Sequence, residues 1–183
     1  MGKIGTALAV KARGLGMRII AYDPYVLEGV MLIHRIEPVD FDTLLKDSDI
    51  LSINASLNDE TRNIIDKNAL RKMKPTSCLI NTARGEIIEH SDLIEALQKL
   101  TIAGAGLDVT SEEPLSIGNP LLDMPNVILS AHSGWYSTTS DSATGYWQKA
   151  MEQVIMALKG RWPIYGLNPE IKKQWIEKWG NPQ

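Results

Sequence analysis

An arginine, a glutamate and a histidine in the second half of the chain each follow a short apolar run. These are residue types that hold anions or exchange protons near neutral pH. Arg84 lies in Asn81-Thr82-Ala83-Arg84-Gly85, Glu113 in Leu107-Asp108-Val109-Thr110-Ser111-Glu112-Glu113-Pro114, and His132 in Leu129-Ser130-Ala131-His132-Ser133-Gly134-Trp135. In an open α/β sheet the ligand crevice lies beyond the carboxyl ends of the strands, so loops that follow strands can bring the three together. Each residue alone also has a plain reading. A loop arginine is usually solvated, a Glu-Pro pair usually makes a turn, and a lone histidine is more often structural than catalytic.

A second group of positions lies at the front. Gly2-Lys3-Ile4-Gly5 has the spacing of the last two glycines of G-x-G-x-x-G and opens a helical pattern. In that motif one glycine lets a pyrophosphate approach the backbone, and the next lets the helix pack closely on a strand. By itself a G-x-x-G is a weak signal, and two glycines meeting at a helix start by coincidence explain it equally well. Asp23 strengthens it, because a carboxylate at the end of the next strand binds the ribose hydroxyls of adenosine and favours NAD over NADP. A turn residue before Pro24 is the alternative. Gly14-Leu15-Gly16 follows a helix and precedes a strand, which is the wrong order for phosphate binding.

The elements that must position these residues alternate in type. Ile4, Ala7, Leu8, Ala12 and Leu15 recur at helical spacing, and Gly14 and Gly16 close that helix. Apolar runs at 17–22, 50–53, 78–80, 102–107 and 127–129 read as buried strands. Between them, 41–45 and 69–73 read as short helices, the second stopped by Pro75, and Ser91 or Asp92 caps a helix with Leu93, Ile94 and Leu97 inside. The longest element starts after a Thr/Ser/Asp cap region and carries Ala143, Tyr146, Trp147, Ala150, Met151, Val154, Ile155 and Leu158 on one stripe, ended by Gly160 and Pro163. Short strands alternating with helices mean an α/β fold, a parallel sheet with helices on both faces.

Bulk properties remove several function classes. The chain has 19 basic and 22 acidic side chains, a net charge of −3, which provides no electrostatic footprint for nucleic acid. No apolar run approaches the ~20 residues of a membrane helix, and the front lacks a signal-peptide core. A single cysteine, Cys78, excludes an intramolecular disulfide and a multi-cysteine metal site, and no metal is expected. Cys78 lies in an apolar run and reads as a buried, inert thiol, and the expected setting is a reducing cytoplasm.

The order of these segments resembles the D-isomer-specific 2-hydroxyacid dehydrogenase family. The resemblance covers residues 2–160 and rests on Gly2-Lys3-Ile4-Gly5, Ala21-Tyr22-Asp23-Pro24, Glu60-Thr61-Arg62, Met73-Lys74-Pro75, Asn81 to Gly85, Gly104 to Pro114 and Pro125-Asn126-Val127. Within it, residues 132–137 and Leu57-Asn58 look most like the branch of the C-terminal-binding protein corepressors and their bacterial relatives. The resemblance implies a Rossmann-like, doubly wound parallel sheet and NAD as cofactor. It implies that Arg84 grips the carboxylate and carbonyl of a small 2-keto or 2-hydroxy acid, His132 is the general acid and base, and Glu113 orients the imidazole and stabilises its charged form. It also implies a cofactor site built from Gly2, Lys3, Ile4, Gly5 and Asp23, the loop with Ala55, Ser56, Leu57, Asn58 and Thr61, then Thr82, Ala83, Arg84, Asp108, His132, Gly134 and Trp135.

Four departures from the pattern accompany it: Asn54 for the usual histidine, Ser56 for proline, Ala131 for the proline before His132, and Glu89 for aspartate. Ala131 leaves the placement of His132 less rigid. Residues 1–160 are expected to form the NAD-binding domain, truncated at its front and lacking the first strand of the family fold. Residues 161–183, with Trp162, Trp175 and Trp179, are expected to be a tail returning to a missing substrate-binding domain. The expected function is an NAD-dependent oxidoreductase of D-2-hydroxy acids, inactive as this fragment. The alternative is a non-catalytic, NAD(H)-binding, corepressor-like interaction module. A homodimer through the nucleotide domain is a further expectation, set against the apolar stripe at 143–158 simply packing on its own sheet.

Overall fold

The computed structural model describes residues 1–134 and 141–180, and for 141–147 the backbone alone. It divides into two compact units, Met1–Ser133 and Gly134–Gln183.

The first unit is an α/β alternation. It runs α1 (Lys3–Gly14), β1 (Ile20–Ala21), α2 (Glu28–Ile33), β2 (Glu37–Pro38), α3 (Phe41–Asp47), β3 (Ile50–Ile53), α4 (Lys67–Lys72), β4 (Cys78–Asn81), α5 (His90–Gln98), β5 (Gly104–Leu107) and β6 (Val127–Leu129). Strands β3-β4-β5-β6 form one parallel sheet in that order, with Ile53, Asn81 and Leu107 level with one another at its carboxyl edge. Strand β1 pairs with β2 in a separate parallel sheet, so the order is interrupted between β1 and β3. The expectation of a Rossmann-like parallel sheet with helices agrees with this topology.

The core sits between this sheet and its helices. Leu51, Leu79 and Leu107 from the strands meet Leu45, Leu70, Leu93 and Leu97 from the helices in one buried cluster. Burying a leucine side chain is worth ~1.5–3 kcal/mol. The ion pairs Lys72–Asp42 and Lys74–Asp49 lie at the surface, where solvent screening leaves them little. Apolar burial therefore decides the fold. Side-chain caps set the helix starts: Asp40 accepts from the Thr43 N–H, Asp66 from the Ala69 N–H and Glu89 from the Ser91 N–H.

Several sequence expectations are corrected. The cap of α5 is Glu89, not Ser91 or Asp92, and the Asp92 carboxylate instead accepts from the Lys67 N–H at 2.8 Å, joining α5 to the start of α4. The strand expected at 17–22 is only Ile20–Ala21, and that at 102–107 begins at Gly104, with Ile102 fully buried outside the ladder. Helix α2 and strand β2 escaped the reading, because six and two residues are too short to show a period. In α1 the buried residues are Gly5 and Ala9, whereas Ile4, Leu8 and Leu15 are exposed. Small residues let that helix approach its neighbours, so the bulky stripe at 4, 8 and 15 is not its inner face. Cys78 is half-buried rather than buried.

The second unit contains α6 (Asp141–Leu158) and α7 (Lys172–Trp179). Trp162 meets Trp175 edge-on with ring centroids 5.6 Å apart. The cap region before α6 lies partly, and the side chains of Ala143, Tyr146 and Trp147 wholly, outside what is described. On the rest of the stripe Met151, Val154, Ile155 and Leu158 are exposed.

Candidate active site

Arg84 is presented by a turn that a buried asparagine folds. Asn81 is fully buried at the end of β4; its amide donates to the Arg84 carbonyl at 2.9 Å and its side-chain oxygen accepts from the Ala83 N–H at 3.0 Å. The Arg84 guanidinium is exposed and donates to the Ala83 carbonyl at 2.6 Å. Gly85 then brings this turn against the loop after β5. A Cβ at Gly85 would stand 2.0 Å from the Thr110 carbonyl carbon and 2.3 Å from the Ser111 nitrogen, closer than any non-bonded carbon tolerates. Only glycine permits this approach of backbone to backbone.

Glu113 and His132 meet directly. The His132 Nδ1 lies 2.8 Å from the Glu113 carboxylate, which also accepts from the Thr110 N–H at 3.0 Å. With Nδ1 engaged, Nε2 is the ring nitrogen left for other partners. The hydrogen bond from His132, set against partial desolvation and aided by the Thr110 N–H, holds the Glu113 carboxyl below its ordinary range. His132 itself sits at φ 49°, in the left-handed region. A non-glycine residue there costs on the order of 1–3 kcal/mol and persists only where surrounding contacts over-determine it. Those contacts come from Asp108: its carbonyl accepts from the His132 N–H at 2.9 Å and its carboxylate from the Ser133 N–H at 2.9 Å.

The front positions lie in the same unit. Gly2 is the N-cap of α1, its carbonyl accepts from the Thr6 N–H at 3.0 Å, and a Cβ there would meet nothing within 4 Å. Gly5 lies beside Met1 and Asn54, at the end of β3, with ordinary contact distances of 3.4 and 3.6 Å for an added Cβ. Lys3 and Ile4 are exposed on the first turn. Asp23 follows β1; its carboxylate takes the Met1 amino group and the Tyr25 N–H. The loop after β3 is self-ordered: Asn58 Oδ1 accepts from the Glu60 and Thr61 N–H groups, both at 3.0 Å, and the Thr61 hydroxyl donates to the Ser56 carbonyl at 2.6 Å. Ala55, Ser56 and Asn58 are exposed on it, while Leu57 packs against the core. The Tyr25 hydroxyl donates to Glu60, tying the Asp23 loop to this one.

The residues present fit a dinucleotide in kind: an open backbone at a twelve-residue helix N-terminus for pyrophosphate, and a carboxylate after the adjacent strand for ribose.

The structure therefore joins Glu113 to His132 side chain to side chain and joins Arg84 to the Glu113 loop through backbone. Thr82 is exposed and Ala83 packs against the core. Gly134 opens the second unit, and Trp135 lies outside the described residues. Asn81, Gly85 and Thr110 went without a role in the sequence reading. A glycine directly after a loop arginine was the available signal for Gly85. Among the described residues no helix is long and apolar enough to cross a membrane, and no three His, Cys, Asp or Glu side chains cluster as a metal site.

Two outcomes are expected. Gly85→Ala will drive the β4 and β5 loops apart, lowering stability in urea by about 1–3 kcal/mol or more. Because the Glu113 carboxyl titrates lower when folded, it stabilises fully above the ordinary carboxylate range and loses that contribution as pH falls through its folded value. In His132→Gln the principal cause is gone, so stability measured from about pH 5 to pH 3 will fall less steeply than in the parent chain.

Comparison with known proteins identifies the family. Residues 1–134 match the family described as D-isomer specific 2-hydroxyacid dehydrogenase, NAD binding domain. A glyoxylate reductase of Korarchaeum cryptofilum is 37% identical over 173 residues, covering 94% of this chain and 52% of that protein. A glyoxylate/hydroxypyruvate reductase B of Serratia proteamaculans is 39% identical over 175 residues, covering 95% and 53%. The crystal structure of a D-lactate dehydrogenase with NAD+ from Lactobacillus jensenii superposes with a TM-score of 0.81 at 32% identity, covering 91% of this chain and 53% of that one. The chain spans about half the length of these relatives. It belongs to the D-isomer specific 2-hydroxyacid dehydrogenase family and corresponds to that family's NAD binding domain.

Proposed function

We propose that this chain carries the cofactor half and the proton-transfer pair of an NAD-dependent oxidoreductase that interconverts a 2-keto acid and a D-2-hydroxy acid. The observation that carries the reading is the Glu113–His132 pair at 2.8 Å beyond the carboxyl ends of β5 and β6. Bound NADH supplies the hydride that adds to the keto carbon. His132 delivers the accompanying proton to the keto oxygen from Nε2, and takes it back in the reverse direction. Glu113 holds the ring and stabilises the imidazolium form. Arg84 pairs its guanidinium with the substrate carboxylate.

Gly2, Lys3, Ile4 and Gly5 would hold the cofactor's pyrophosphate. Asp23 would take the ribose hydroxyls, and residues 55–61 with Thr82, Ala83 and Asp108 would complete the site. Glyoxylate and hydroxypyruvate, which the names of the relatives carry, are the first substrates to try. Residues 1–160 act as the nucleotide domain and 161–183 as a segment returning to a substrate-binding domain, in a reducing cytoplasm. The exposed Met151, Val154, Ile155 and Leu158 on α6 support a homodimer through this domain.

A second reading, a non-catalytic NAD(H)-dependent module of the corepressor-like branch, rests on residues 132–137 and Leu57-Asn58. The reductase names of the relatives favour the first.

Calorimetry with NADH tests the shared premise: saturable binding is expected, weakened about tenfold or more in Asp23→Ala, the range for a hydrogen bond to a charged group. Absence of binding contradicts both readings. His132→Gln separates them, since it abolishes hydride transfer to glyoxylate in the full enzyme and leaves a purely binding role intact.

A further inference from the structure

Beyond β5 and β6 the ladder continues in side chains. The Ser130 N–H donates to the Leu107 carbonyl at 2.9 Å, which seats Ser130 beside Asp108 one step past the last paired residues, Leu107 and Leu129. The Ser130 hydroxyl donates to Asp108 Oδ1 at 2.6 Å, and the same oxygen accepts the Ser133 N–H at 2.9 Å. The Asp108 carbonyl accepts the His132 N–H at 2.9 Å. Asp108 is buried, at 8 % exposure. The backbone of His132 is thus held on both sides by one residue, in a left-handed conformation that histidine does not favour on its own. Ala131, just before it, lacks the ring that would fix the approach.

We propose that Ser130 is a positioning residue for His132: its hydroxyl fixes the Asp108 carboxylate, the carboxylate holds the Ser133 N–H, and that clasp keeps the imidazole on Glu113. The hydroxyl touches neither the ring nor its partner, and acts only through Asp108. A serine present merely to finish a strand would contribute stability and nothing to the His132–Glu113 contact. This inference rests on the proton-transfer role proposed above for His132, but its test does not require turnover or cofactor.

The test is a carbon-detected NMR titration of the Glu113 carboxyl in the 183-residue chain, its Ser130→Ala variant and its Ser130→Thr variant. The groups facing Glu113 are His132, the Thr110 N–H and the Asp108 carboxylate, and the first two hold its titration low while the third opposes them. In Ser130→Ala the midpoint will move up by about half a unit or more, as the ring leaves the carboxylate, and the His132 ring resonances will shift with it. In Ser130→Thr both will return to the parent values, because the hydroxyl is restored. If Ser130→Ala superimposes on the parent in both signals, the proposal is overturned, even where its melting temperature drops.

Should Ser130→Ala fail to fold, hydrogen exchange at the Ser133 amide of the parent chain decides. Slow exchange supports the clasp, and exchange at the rate of an open amide overturns it. Failure of NADH to bind the parent chain would sink the dehydrogenase reading and leave these outcomes as they stand.

Discussion

Parallel strand pairing is the constraint on which the rest of this molecule depends. Because β3 to β6 all run the same way in consecutive register, each strand hands its loop to the same edge. That edge is where buried strands release the chain to solvent, so polar side chains there need not be desolvated to meet one another. The ladder is itself anchored by apolar burial: Leu79 and Leu97 are essentially inaccessible, and helices α4 and α5 close over them. The order of events in sequence, strand then functional residue, repeated at Arg84, Glu113 and His132, follows from this geometry.

Convergence of loops would still leave the side chains loosely placed. Three backbone devices tighten them. Asn81 folds the Arg84 turn from beneath, Gly85 lets that turn touch the Thr110 backbone, and Asp108 holds the backbone on either side of His132. The Glu113–His132 contact then joins two loops, one from β5 and one from β6, that Asp108 already ties together. Its electrostatics follow: a carboxyl with a donor on each oxygen, the imidazole and the Thr110 N–H, stays ionised to lower pH than a free one.

The strands of the main sheet and the three candidate residues were legible because both leave strong local marks. Apolar runs of three or four residues bounded by turns identify β3 and β4, and the segments around Arg84, Glu113 and His132 carry chemistry-bearing types at fixed positions after them. What was not legible depends on contacts distant in sequence. The start of α5 was misplaced because Asp92, a good cap by type, is claimed by Lys67 instead. The inner face of α1 left no mark in the sequence because Gly5 and Ala9 pack by being small, which helical spacing of bulky apolar residues does not show. The clasp at Ser130 and Asp108 lies 22 residues apart along the chain and becomes visible only once β5 and β6 are paired.

We propose that the carboxyl edge of this sheet is one cofactor-and-substrate crevice. It is tested most directly by mapping backbone amide shifts of the 183-residue chain as NADH is added, then repeating the map with oxamate, a 2-keto acid mimic. NADH is expected to move Gly2 to Gly5, Asp23, residues 55–61, Thr82, Ala83 and Asp108 together, and oxamate to add Arg84 and His132. Shifts confined to other surfaces, or NADH shifts that leave the loops after β4, β5 and β6 untouched, would contradict it.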